Sequence, residues 1–149
     1  MKFFICLILA VLFSSSALAD PLQWANGAWG IDVGNIPEGL SADEIDTYRN
    51  CKSTPVLITV DRDTMRYTAV HTGENNFISA SPVLNATDTY LSLRYDDEDR
   101  VMENGNLHKW HMVFVSPDKF YWVLGEEPTK EAREGIIAIA RIRCQTLVG

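Results

Sequence analysis

The sequence predicts an all-β domain, an antiparallel up-and-down barrel of eight or nine strands with one or two short helices. Three observations carry this reading. Short runs rich in Val, Ile, Tyr, Phe and Trp recur at regular spacing. Turn chemistry separates them, as in Asn104-Gly105-Asn106 and Ser116-Pro117-Asp118. Only two stretches break the strand-like pattern.

The chain opens with "MKFFICLILAVLFSSSALA", residues 1–19. Lys2, an apolar run from Phe3 to Phe13 and small residues ending Ala17-Leu18-Ala19 make this a secretory leader. The run is too short to span a bilayer, and an uncleaved anchor is the alternative. Cleavage after Ala19 leaves residues 20–149 as a single domain, periplasmic or secreted. No second apolar stretch approaches spanning length.

Strands are expected over 24–32, 55–61, 65–72, 75–84, 90–95, 100–104, 107–115, 119–125 and 136–144. Arg62-Asp63-Thr64 turns the chain between the second and third. Residues 41–50 start with Ser41 and carry Glu44 three positions on, a capping box that predicts a short helix. Residues 128–134 have Thr129 as N-cap and Gly135 as a stop, predicting another.

Period-two alternation assigns faces. Met65, Tyr67, Ala69 and His71 share one side, as do Val56, Ile58 and Val60, and Leu91, Leu93 and Tyr95. His108, Trp110, Met112 and Phe114 fall inside. Lys109 and His111 are expected outside, because a buried ammonium without a partner is costly. His108 and His111 are three apart, so on a strand they point to opposite faces and do not share an ion.

Cys6 leaves with the leader, and Cys51 and Cys144 remain. Two cysteines in an exported domain usually pair. Closing so long a loop restricts the unfolded chain by roughly 4–5 kcal/mol. The alternative, a reactive thiol pair, lacks C-x-x-C spacing. Losing Lys2 takes the formal net charge one unit below the −7 of the whole chain. Such acidity, without a basic cluster, repels nucleic acid and anionic membranes.

Catalytic signatures are missing: no G-x-S-x-G, H-E-x-x-H, phosphate-cradling Gly loop or EF-hand spacing. Asp96-Asp97-Glu98-Asp99 reads as a solvated turn rather than a calcium loop, since alternating ligands and a Gly are absent. Glu103, His108 and His71 make an acid–base set only if the fold brings them together. Asn85-Ala86-Thr87 matches a glycosylation acceptor, of consequence only in a eukaryotic secretory pathway. An enzyme is therefore not the expected reading, and no metal or cofactor is expected.

Gly27-Ala28-Trp29 lies on the first strand of the meander. In this it resembles the G-x-W of lipocalins and the wider calycin barrels. It is also similar to small exported bacterial proteins that carry G-x-W-x-x-D, here Gly27 to Asp32. The resemblance covers the chain after the leader. It implies that Trp29 plugs the closed end, with Arg141 or Arg143 lying over it in a cation–π contact. It also implies that residues 33–54 form a lid over the open end, whose far end Cys51–Cys144 pins to the last strand. The chain is nearer the size of avidin-like or fatty-acid-binding-like barrels.

Eight strands enclose either a packed interior or room for one small ligand. Two function classes follow. The first is an exported barrel that binds a small apolar or aromatic ligand through Tyr67, Tyr95, His108, Trp110, Met112, Phe114 and Trp122, with His108 as the polar contact. The second is a filled barrel acting through its surface, as an inhibitor or envelope-associated interaction protein. In either case the protein is expected to be a monomer.

Overall fold

The structure is a computed structural model that describes residues 19–125, 128 and 140–145. Eight strands form a closed antiparallel barrel in which each pairs with its neighbours in sequence and the last returns to the first. They are β1 (Gly27–Ile31), β2 (Val56–Asp61), β3 (Arg66–His71), β4 (Phe77–Ala86), β5 (Tyr90–Leu93), β6 (Trp110–Ser116), β7 (Lys119–Leu124) and β8 (Arg141–Arg143). Helix α1 (Pro21–Trp24) precedes the barrel and α2 (Ala42–Tyr48) lies between β1 and β2. The turns after β2, β4 and β6 are tight and gather with α1 at one end, the base. The connections after β1, β3 and β5 gather at the other end, the mouth, where β7 also ends.

Local chemistry accounts for the helices. Ser41 and Glu44 form the reciprocal capping box expected of them. Helix α1 was not among the expected elements. Asp20 caps it and Pro21 occupies its first turn, where a missing N–H costs nothing. The expected strand at 24–32 therefore begins only at Gly27.

Two other expectations change. No strand forms over 100–104. Val101 and Leu107 make one isolated bridge around the Asn104-Gly105 tip, and β6 begins at Trp110. The run from Arg94 to Lys109 is polar, and its Val101 stays exposed, so there is too little apolar face to hold a ninth strand in place. Of the last expected strand, residues 141–143 pair, while 136–139 and the helix expected at 128–134 lie outside the described residues apart from Pro128. Residues 1–18 of the expected leader lie outside them as well.

The segment 33–54 does not simply form a lid. Its Arg49–Cys51 part lies on the outer wall of β1. The Arg49 carbonyl accepts a hydrogen bond from the Ile31 amide at 2.9 Å. Gly30, which faces outward, makes the approach possible: a Cβ there would stand 2.2 Å from the Arg49 carbonyl oxygen and 2.8 Å from Cys51 Sγ. Cys51 and Cys144 are joined in a disulfide, with Cα atoms 5.6 Å apart. Asp46 is buried beside it and accepts from the Gln145 amide at 3.0 Å. The segment is a strap across the β1–β8 seam. It takes that place because glycine leaves space and the disulfide fixes the far end.

Two measurements test the strap. Cys51→Ser should lower the free energy of unfolding in urea by about 4 kcal/mol, the loop-entropy value for so long a span. Gly30→Ala, a change of one methyl group, should cost at least about 2 kcal/mol, because backbone rather than a mobile side chain stands in its way.

Candidate functional site

Arg143 organises the base. Its Nη1 donates to the Asn26 carbonyl at 2.8 Å, and its Nη2 donates to the Trp24 and Pro117 carbonyls at 2.6 and 2.8 Å. Its Nε donates to Asp118 at 2.8 Å. The guanidinium carbon lies 4.5 Å from the Trp29 ring centroid. Of the two arginines expected over Trp29, Arg143 is the one that takes the place. Gly27 has φ of +137°, and a Cβ there would meet Arg143 Nη1 at 2.5 Å. Glycine is required here because the guanidinium covers it. Trp29 is fully buried and donates from Nε1 to the Ala25 carbonyl at 2.8 Å.

Above Trp29 the barrel is packed with side chains. Phe120 meets Trp29 edge-on at 4.7 Å and Phe114 at 5.4 Å, while Trp24 closes on Phe114 from below at 5.7 Å. Met112, Leu91 and Leu93 are fully buried, and Ile58, Val60, Ala69 and Val83 complete the core. Of the residues expected to bind a ligand, Met112 and Phe114 are spent here on packing.

Toward the mouth the aromatic chain continues. Trp122 lies 5.6 Å from Phe120, 6.2 Å from Tyr67 and 6.0 Å from Trp110, which in turn lies 6.0 Å from Tyr95. Trp122, Trp110 and Tyr95 are partly buried against the core, and Tyr67 is buried within it. Burial pushes the Tyr67 phenol up, the neighbouring Tyr95 adds to this, and the positive charge of Arg141 opposes it.

The mouth itself holds a cleft of about 450 Å³ lined by His71, Phe77, Ser79, Tyr95, Asp97, Glu98, Asp99 and Arg100. His71 and Phe77 stack face to face at 4.0 Å, and His71 Nε2 lies 3.3 Å from Ser79 Oγ. Burial, then the Arg141 charge, holds the imidazole pKa below its ordinary value. On the opposite wall Arg100 grips Glu98 with Nε and Nη2 at 2.7 and 2.6 Å. Glu98 also accepts from Trp110 Nε1 at 3.2 Å, and Arg100 sits 5.5 Å over the Trp110 ring. Arg100 in the main, with help from Trp110, lowers the Glu98 carboxyl to about 2.

The acidic run 96–99 is therefore partly structural: Glu98 is clamped, and Asp96 pairs with Arg66. Among the described residues no group of three metal-ligating side chains converges. Glu103 and His108 line one cleft and His71 another, so the three do not converge. His108 lines a separate cleft with Val101, Met102, Glu103, Asn104 and Gly125, away from Trp110, because the strand that would have aligned the two starts only at Trp110. His111 points away from Met112 as alternation requires, yet it is fully buried rather than exposed. Its Nδ1 accepts from Ser92 Oγ at 2.8 Å, its Nε2 donates to the Gly125 carbonyl at 3.1 Å, and Tyr90 meets its ring edge-on at 5.8 Å. A histidine whose two nitrogens both find partners is buried without penalty.

His71, Phe77, Ser79, Glu98 and Arg100 were not among the residues expected to bind a ligand, although His71 stood in the candidate acid–base set and Glu98 in the acidic turn. The inward face of His71 was legible from its alternation with Tyr67. The return of Glu98 and Arg100 over Trp110 had no periodic signal.

No family model matches the chain, and no curated protein matches it. Among solved structures it is similar to Treponema pallidum Tp0751 (pallilysin), at 13% identity, covering 86% of this chain and 87% of that one, with a TM-score of 0.39. A likeness at that level carries no argument about this protein. In the described residues no helix is long and apolar enough to cross a membrane.

Both ends of the barrel can be tested. Trp29→Ala should cost about 3–5 kcal/mol in urea denaturation, as a large-to-small core change. Glu98 is more acidic when folded than when unfolded, so its clamp is complete above about pH 4.5 and weakens as pH falls through about 2. Trp110 emission should hold steady from pH 7 to about 4.5 and shift only below it. In Glu98→Gln that acid-side shift should be absent.

Proposed function

We propose that the chain is an exported barrel that binds a small apolar or aromatic ligand at its mouth. The observation that carries this reading is the aromatic cleft, with the His71–Phe77 stack on one wall and Tyr95 on the other. Mixed aromatic and polar linings of this size suit small-molecule sites. The secretory leader read from the sequence and the Cys51–Cys144 disulfide support an oxidising compartment. The lipocalin-like Gly27-x-Trp29 with Arg143 over the ring supports a ligand-carrying barrel. The packed lower barrel limits the ligand to the mouth, so Tyr95 and the Trp110 edge contribute to binding, and Met112 and Phe114 do not.

A second reading, action through the surface, is favoured by an apolar row on the outer wall. Leu57, Val70 and Ile78 are cross-strand neighbours on β2, β3 and β4, and Ile78 is 69% exposed. Substituting Ile78 leaves the cleft walls intact, so the two readings separate.

Titration with the neutral probe N-phenyl-1-naphthylamine tests the first reading. Tryptophan emission should quench saturably to one site, and Ser79→Trp, which fills the cleft, should weaken binding at least tenfold, while Ile78→Ser leaves it unchanged. Quenching that does not saturate, or that Ser79→Trp leaves intact, would overturn it.

A further inference from the structure

We propose that the mouth site selects ligands carrying a carboxylate or similar planar anion, with Arg141 as the anchoring cation and the Ser81 hydroxyl and the Tyr67–Tyr95 pair beside it. This inference rests on the ligand-binding reading above and deepens it. Arg143 and Arg141 are two apart on β8 and share the inner face, but they differ in their partners. Arg143 has four hydrogen bonds and a ring beneath it. Among the described residues, none of the six ion pairs includes Arg141. The strand pairing sets Arg141 opposite Ile31 on one side and Phe120 on the other, a step nearer the mouth than Trp29. Its positive charge acts on both Tyr67 and His71, and His71 lines the cleft.

The second observation is independent. Ser81 is fully buried, and its hydroxyl has no hydrogen-bond partner. It stands opposite Tyr67 in the β3–β4 register, so it projects into the barrel with the phenol. A buried hydroxyl without a partner is expensive, and an apolar residue of similar size would fill the place more cheaply. Ser79 follows on the same face toward the mouth, bonded to His71. The upper interior thus carries a guanidinium, hydroxyls of Ser81, Ser79, Tyr67 and Tyr95, and an imidazole, against a floor of Trp122 and Trp110. Ser79 is already bonded to His71 and Tyr67 to Tyr95, so the donors left to a ligand are those of the guanidinium and the Ser81 hydroxyl. The planar fork of arginine fits two oxygens at once. Of the three carboxylates that line the cleft, Glu98 is neutralised by Arg100, and Asp97 and Asp99 are exposed, where water and salt screen them, whereas Ser81 lies deep.

Paired ligands test this. Binding of 2-naphthoic acid and of its methyl ester is measured at pH 7 by tryptophan quenching and calorimetry, with circular dichroism melting as the folding control. The acid should bind at least tenfold more tightly than the ester. Arg141→Met should remove that preference while leaving ester affinity within twofold, and Arg141→Lys should keep part of it. Equal affinity of the intact protein for acid and ester, or a preference that survives Arg141→Met, would overturn the proposal and leave the ligand-binding reading standing. If neither compound binds while N-phenyl-1-naphthylamine does, the anion site falls and the ligand-binding reading stands. Should Arg141→Met fail to melt cooperatively, Ser81→Ala decides instead: acid affinity drops at least threefold with ester affinity unchanged, or the anion site is wrong.

Discussion

The fold depends on one side chain at its base. From β8, Arg143 bonds to the other parts of the chain that meet at the base: the end of α1, the start of β1 and the β6–β7 turn. Each of its bonds to a carbonyl is charge-assisted, which makes it stronger than a neutral one. The Trp29 face beneath it adds cation–π attraction in a site mostly shielded from water. Gly27 leaves the space the guanidinium fills. The side chains that plug the base also set the level of the core above it, since Phe114 and Phe120 pack directly on Trp29.

From that plug upward the interior changes character by layers. The lowest layer is aromatic and dry. The next is aliphatic with Met112, and the highest mixes tryptophan rings with hydroxyls and charge. Such a gradient makes sense of a barrel with few strands. Eight strands enclose too little volume for both a full core and a deep cavity, so stability is drawn from the base and any recognition is confined to the mouth.

What was legible in the sequence was local and periodic. Alternation placed Trp110, Met112 and Phe114 inside, and Tyr67 with Ala69 and His71. The capping box fixed α2. Cysteine count and compartment gave the disulfide, and turn residues gave the strand order. What escaped had no short-range signal. Ser92 and Gly125, which make a buried home for His111, lie 19 and 14 residues away from it. Glu98 reaches Trp110 because Arg100 folds the loop back, and loop paths carry no hydrophobic period. Gly30 carries no local signal of its role. Only the strap that lies on it explains the missing side chain.

The pairing of β1 with β8 also sets the order in which the molecule is completed. Trp29 faces Arg143 across the seam, so the first strand of the barrel waits for the eighth before one of its edges is covered. Until then β1 presents a bare row of backbone groups, the kind of edge that recruits other chains. Loop-closure entropy favours the pairings of consecutive strands from β2 to β7 over the β1–β8 closure, which joins residues far apart in sequence. The most vulnerable moment in the life of this barrel is therefore the interval just before its final strand arrives.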